Sequence, residues 1–299
     1  MKLINSKVEI LEPTGYTIDD IYKQIEIAGR TCYKSEDKIT PTSAKEFVDR
    51  MIKSGHGAML EHGTVYLKLE GINKSWEYYH AQKYLENNYS KVVTEREGID
   101  SADWCEFYIT TNFRVLVENN WLDDLKYICE PTEFHEKRIS VRWTCDRGVS
   151  HEYVRHRVFS FAQESTRYCN YSKEKFGSEL TFIEPCWLEN YDYEGNTYYN
   201  GFLVALKAAE ANYFALMKKW EDKIPDKRYK TGFRNNPWTP QQARAVLPNA
   251  LKTELVMTGF ESDWKHFFEL RCDTAAHPDA RKLALELYNK LYNKEYGKE

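Results

Sequence analysis

Two stretches of this chain repeat apolar residues every three to four positions, and the short runs that alternate like strands are not in strict alternation with the helical ones. Phe202, Leu206, Ala209, Tyr213, Leu216, Met217 and Trp220 share one helical stripe, with Pro225 beyond its end. Residues 278–292 carry a second, with Ala280, Leu283, Ala284, Leu287 and Leu291 on one face. Strand-like patterns mark 63–70, 141–143, 178–185 and 251–259. Further helices are predicted from Thr17 to Gly29, from Ser43 to Gly55, from Ser150 to about residue 157, just after Thr239-Pro240, and over 263–271. The Ser43-x-x-Glu46 pattern reads as a capping box. Residues 187–201 read as a loop, 224–238 as a polar linker, and 72–135 show neither repeat nor low complexity. Helices outnumber strands without alternating strictly with them. The expectation is an α+β fold, an antiparallel or mixed central sheet flanked by helices, and not a doubly wound sheet.

A chain of 299 residues has room for a substantial core. Mean hydropathy is −0.70, and no apolar run approaches the ~18 residues that a membrane helix needs. The opening residues, with Asn5, Ser6, Lys7 and Glu9, lack the apolar stretch of a signal peptide. The seven cysteines are scattered and form no C-x-x-C pair, the pattern of isolated thiols in a reducing compartment. The expected location is the cytoplasm. Net charge is −4, so a nucleic-acid role would need a strongly localised basic patch.

Such a local excess exists. Of 15 arginines in the chain, six fall within residues 138–167 (Arg138, Arg142, Arg147, Arg155, Arg157 and Arg167), a window without lysine. Arginine is favoured over lysine where phosphate or carboxylate is gripped bidentately. A helix opened at Ser150 would turn Arg155 and Arg157 to different faces, ~200° apart. Singly, each arginine is best read as the partner of a surface carboxylate. Two arginines flanking His156 repel one another unless an anion lies between them. No glycine-rich phosphate loop is present, so a phosphate would have to be held by these side chains and by helix N-termini. Arg244 and Arg271 lie on otherwise apolar helical faces, as buried ion-pair partners or as anion clamps. His56 and His62 lack metal-ligand spacing, and no metal is expected.

Arg155-His156-Arg157, seven residues, then Ser165-x-Arg167-Tyr168 resembles the defining motif of the flavin-dependent thymidylate synthases. Three other segments agree in order and character: AGRTCY at 28–33, SGHGAMLEH at 54–62, and ARAVLP at 243–248 followed by HFFELR at 266–271. The resemblance covers the N-terminal helices, 138–170 and 239–290. It treats 1–299 as a single catalytic domain, with 72–137 a family-divergent insertion before the arginine-rich helix. It implies reductive methylation of dUMP to dTMP, with methylenetetrahydrofolate as carbon donor and FAD, reduced by NADPH, as hydride source. A homotetramer with FAD between subunits is also implied.

By the same resemblance, Glu152, Arg155, Gln163, Ser165, Arg167, Arg244 and Arg271 fall where the family grips dUMP. His56, Glu61, Arg155, His156, Arg157, Gln163 and His266 fall where it lines the flavin. Arg271 and Ser165 are the catalytic pair. The Arg271 guanidinium would stabilise a uracil anion, and Ser165 would serve as a hydrogen-bonding contact because no base accompanies it. This sequence departs from the family pattern at Glu152 (commonly Gln), at Cys32 (often Ser), and at Phe260 and Ser262 (commonly Asn and Arg). Two other readings compete. One is a non-enzymatic module stacking single-stranded nucleic acid on Trp143, Tyr153, Phe159, Phe161, Tyr168 and Tyr171. The other is a synthase with a cysteine nucleophile, Cys169 or Cys145 first.

Overall fold

Thr17 opens the first helix with a reciprocal cap, its hydroxyl accepting from the Asp20 amide while the Asp20 carboxylate accepts from the Thr17 amide, both at 3.3 Å. The computed structural model describes the chain apart from residues 73–74, 98–103, 192–195, 219–236, 295 and 298–299. Strands β1 (Lys2–Ile4) and β2 (Lys7–Ile10) lead into helices α1 (Ile18–Tyr33), α2 (Ser43–Lys53) and α3 (Gly57–Leu60). Then come β3 (Thr64–Ile72), α4 (Trp76–Leu85), β4 (Lys91–Glu97), β5 (Trp104–Asn112) and α5 (Phe113–Glu118). The middle of the chain forms β6 (Arg138–Asp146), α6 (Arg147–Tyr153), β7 (Ser160–Gln163) and β8 (Thr181–Ile183). Helices α7 (Thr197–Met217) and α8 (Pro240–Ala243), strand β9 (Lys252–Phe260), and helices α9 (Glu261–Arg271) and α10 (Pro278–Tyr292) complete it.

The α+β class holds, with three sheets in place of one. A four-stranded antiparallel sheet runs β2-β6-β9-β7, with Val8 opposite Trp143, Trp143 opposite Leu255, and Ala162 opposite Val256. Strands β3-β5-β4 form a second antiparallel sheet, and β1 pairs in parallel with β8. Successive residues of β9 serve different cores. Val256 joins α1, α2 and the β3-β5-β4 sheet, whereas Leu255 and Met257 join Trp143, Tyr153, Trp264, Phe267 and the buried face of α10. Sidedness of this kind ties the two cores to one strand.

Several element ends differ from the local expectation. Helix α1 passes through Gly29 and ends at Tyr33, with Lys34 left-handed at φ 48°. Gly29 is a close-approach position: a Cβ there would lie 2.4 Å from the Phe47 ring of α2. The Ser43–Glu46 capping box does not form. Ser43 is instead the first helical residue, and its hydroxyl donates to buried Glu26 at 2.9 Å, a carboxylate also held by Arg30. Helix α7 starts at Thr197, because Asn196 Oδ1 accepts from the Tyr198 and Tyr199 amides, so residues 197–201 are not loop. Its expected continuation to Trp220 and Pro225, and most of the 224–238 linker, lie outside the described residues. The 178–185 strand shrinks to β8. Helix α10 has the predicted bounds and buries Ala280, Leu283, Ala284 and Leu287.

Candidate active site around helix α6

Helix α6 begins four residues before the expected Ser150 cap. Asp146, the last residue of β6, is still extended, and its Oδ1 accepts from the Val149 amide at 2.8 Å. Ser150 is interior: its hydroxyl donates to the Arg147 carbonyl at 2.9 Å and accepts from Gln163 Nε2 at 2.8 Å. The helix therefore ends at Tyr153. Arg155 and Arg157 lie in the turns that follow, exposed, and not on opposite faces of a helix.

Aromatic packing holds those turns. Tyr153 meets Phe267 edge-on at 5.1 Å and donates to the Ala280 carbonyl, and Phe159 meets Trp264 edge-on at 4.6 Å. Burying each of these rings contributes on the order of 2 kcal/mol. Phe159 covers Gly259 so closely that a Cβ would lie 2.4 Å from its ring. Between them His156 is buried, its ring 5.0 Å from Phe267. Burial, then the Arg271 guanidinium, pushes its pKa down to about 4. The neutral ring accepts at Nε2 from Arg271 Nε at 2.9 Å and so carries its proton on Nδ1. Arg271, closing α9, also donates from Nη1 to Glu152 Oε2 at 2.6 Å and from Nη2 to the Glu152 carbonyl at 2.8 Å.

At the other end of α6, Thr166 Oγ1 accepts from Arg244 Nη1 at 3.3 Å. Arg147, Thr166, Arg244, Leu247, Pro248 and Asn249 line a pocket of about 290 Å³ there. The loop carrying Ser165 is tied down from below. The Ser165 amide donates to the Cys32 carbonyl at 3.0 Å, and the Glu164 amide to the Glu254 carbonyl at 2.8 Å. Lys252 bridges Glu164 and Glu254, and Lys34 also reaches Glu254. Burial alone would raise the Glu254 pKa, but Lys252 and Lys34 bring it down to about 2. Arg167 sits over the Tyr168 ring, Tyr168 is 5.9 Å from Tyr33, and the Tyr33 hydroxyl bonds His56 Nδ1 at 3.1 Å. Among the described residues Arg147, Arg155, Arg157, Arg167 and Arg244 have no carboxylate partner.

The structure thus gathers Glu152, His156 and Arg271 at one end of α6, with Gln163 bonded to its middle. Thr166 and Arg244 stand at the other end, and contacts lead through Ser165, Arg167 and Tyr168 to His56. Two predicted residues engage other side chains, although the His266 charge still reaches His156. Glu61 pairs with Arg114 at 2.5 Å, and His266 is exposed on α9 beside Glu269. At the family-divergent positions, Phe260 lies under the Arg138 guanidinium and the Ser262 hydroxyl bonds Glu136. The sequence counts Arg147 in the arginine-rich window but marks it with no role. It leaves Glu164 and Lys252 unmarked because an ion pair spanning 88 positions has no local signature.

The stacking platform of the nucleic-acid reading is not on the surface: Trp143, Tyr153, Phe159 and Tyr171 are buried, Phe161 is half-buried, and only Tyr168 is open. The cysteine nucleophiles fare no better. Cys145 and Cys169 are buried, which raises the first thiol far above its ordinary value and the second to about 12. All seven cysteines are free thiols. Among the described residues no three His, Cys, Asp or Glu side chains are grouped to hold a metal, and no helix is long and apolar enough to cross a membrane.

Fold and site define an α+β protein in which guanidiniums without a carboxylate partner among the described residues lie in and near one short helix and the loop that carries Ser165. Residues 106–294 match the thymidylate synthase complementing protein family. The flavin-dependent thymidylate synthase of Mycolicibacterium gilvum is 27% identical over 264 residues, 88% of this chain and 72% of that one. The enzyme of the same name from Mycobacterium tuberculosis is 25% identical over the same shares. A solved structure of the UMP/dUMP methylase PolB from Streptomyces cacaoi, with 5-Br dUMP, aligns over 98% of this chain and 93% of its own at 14% identity and a TM-score of 0.41. The chain belongs to the thymidylate synthase complementing protein family, that of the flavin-dependent thymidylate synthases, and is an enzyme.

Proposed function

We propose that the protein methylates dUMP reductively to dTMP, with methylenetetrahydrofolate as carbon donor and NADPH as reductant of a bound FAD. The observation that carries this reading is a set of five arginines in and near α6 and the Ser165 loop that have no carboxylate partner among the described residues, beside a sixth, Arg271, already aligned by Glu152 and His156. Cationic groups left without counter-ions fit ligands that bring a phosphate dianion and a pyrophosphate. Bound flavin supplies the hydride that reduces the transferred methylene carbon to methyl. Glu152, Arg155, Gln163, Ser165, Arg167, Arg244 and Arg271 would hold dUMP. His56, Glu61, Arg155, His156, Arg157, Gln163 and His266 would hold FAD.

Arg271 is the activating group. Its guanidinium, placed against the uracil imide, stabilises negative charge on the ring, and the C5 carbon becomes nucleophilic without covalent attack. Ser165 orients the nucleotide by hydrogen bonding, and the site needs no cysteine. Carbon transfer replaces the C5 hydrogen, which leaves as a proton, and folate departs as tetrahydrofolate. We place the reaction in the cytoplasm, in a homotetramer with sites between subunits. In support, only Leu206 and Tyr213 of largely apolar α7 are fully buried within one chain, while Tyr198 and Val204 stand exposed. We further propose a single catalytic domain, consistent with two cores sharing β9; of the 72–137 segment read as a family-divergent insertion, residues 106–137 fall within the family match.

An absorbance spectrum of the purified protein tests the reading. Flavin bands that shift on titration with dUMP are expected. A colourless protein that binds no added FAD overturns it.

A further inference from the structure

We infer that the cavity enclosed by β2, β6, α1 and the end of α10 is a binding site for a small apolar monocarboxylate, held by the Nε–Nη2 edge of the Arg138 guanidinium. The inference does not depend on the nucleotide reading of the residues around α6.

The cavity holds about 530 Å³, a size typical of small-molecule sites. Leu11, Ile27, Ala28, Val256 and Leu291 give it apolar walls, and Arg138 is set among them. Only one end of that guanidinium is well served. Nη1 donates to the Glu61 carbonyl at 3.0 Å and to the Thr64 hydroxyl at 3.3 Å. On the other edge Nε is shielded from solvent and has no hydrogen-bond partner, and Nη2 reaches only the Ser160 hydroxyl, at 3.4 Å. Among the described residues no carboxylate pairs with Arg138, because Glu61 is taken by Arg114. Burial pushes the Arg138 pKa down to about 10, and the charges of Glu61 and Asp263 offset only part of that, so the group is still a cation at neutral pH. A shielded cation without a counter-ion is costly, and its persistence at a cavity points to an anion that arrives with a ligand.

The chemistry of the lining narrows that anion. Nε–H and Nη2–H are parallel donors that together take both oxygens of a carboxylate. Two further groups at the cavity can donate. The Tyr292 hydroxyl is shielded and has no partner, and Gln24, whose Oε1 accepts from the Thr64 amide, keeps its own amide protons. The exposed margin carries Glu12 and Glu130 against Lys137, a negative balance that repels a phosphate dianion or a second carboxylate. Apolar walls favour an aliphatic or aromatic body over a bare inorganic ion.

The test measures binding of benzoate, hexanoate, benzamide and inorganic phosphate by calorimetry and thermal melts, on FAD-loaded wild type, Arg138→Met and Leu291→Trp. Wild type should bind benzoate and hexanoate saturably, and benzamide and phosphate at least tenfold more weakly. Arg138→Met should lower benzoate to the benzamide level. Leu291→Trp narrows the cavity without touching the guanidinium and should exclude both, so the inference remains testable if the Met variant does not fold. dUMP should not displace benzoate. No carboxylate binding by wild type, equal affinity for benzoate and benzamide, unchanged benzoate affinity in either folded variant, or benzoate that competes with dUMP or expels flavin would each overturn the inference.

Discussion

Arg271 grips Glu152 twice, through the side chain at 2.6 Å and through the backbone carbonyl at 2.8 Å, across 119 positions of sequence. The guanidinium that the proposed chemistry needs is therefore preset by a residue on α6, at the cost of a carboxylate beside an anionic substrate. Glu152→Gln keeps a hydrogen-bond acceptor and removes the charge. It should tighten dUMP by about threefold to tenfold, roughly 1 kcal/mol, as read by titration of the flavin spectrum. Unchanged or weaker binding would show that the carboxylate does not compete with the nucleotide.

Arg271→Ala should nearly abolish turnover while FAD remains bound. Arg271→Lys should rescue little, because an ammonium cannot serve Glu152, its carbonyl and His156 in one plane. Turnover near wild type in either variant would remove Arg271 from its role.

His156→Ala should weaken flavin retention more than dUMP affinity. Separate titrations of the two ligands check the order, and the reverse order would mean that the two ligand sites have been exchanged.

Stability should fall on mild acidification. His62 is buried and bonded to Thr258, and burial followed by the Arg138 charge holds its pKa at about 3. His156 is held at about 4. Both lie below the ordinary value of 6.5, so the unfolded chain binds more protons between them. The contribution is full above pH 6.5 and is lost as pH falls toward 4, on the order of 3 kcal/mol for each. Thermal melts from pH 7.5 to 4.5 measure it. His62→Gln should flatten the profile, and a slope unchanged in that variant would contradict the assignment.

Gly259→Ala should cost on the order of 2 kcal/mol and loosen flavin binding, because the new methyl group displaces Phe159 and with it the turn that carries Arg157. Adding Phe159→Leu should recover part of the stability, a non-additivity that a double-mutant cycle resolves.

Much of the fold was legible in the sequence wherever one element decides its own shape. The limits of α10 and the positions of β3, β9 and α9 follow from periodicity, Pro278 and the apolar faces they bury. Residues 72–135 hid two strands and two helices, because β5 buries side chains on both faces and so loses the alternation that marks a half-exposed strand. In the candidate site, residue types and the RHR-x7-S spacing were readable. Which arginines stay unpaired was not, since a surface carboxylate could have met any of them.

Sequence by itself determined the α+β class, the family and the concentration of arginine, because these rest on periodicity and order along the chain. Tertiary structure decided that Asp146 and not Ser150 caps α6, that Ser43 serves Glu26, that Trp143 and Tyr153 are core and not platform, and that Arg147 Nη1 has no hydrogen-bond partner among the described residues. The reason is physical. Hydrogen bonds, burial and charge environments are set by atoms a few ångströms apart in space, and apart from the Asp146 cap, which reaches only to Val149, those atoms come here from segments tens to hundreds of residues apart.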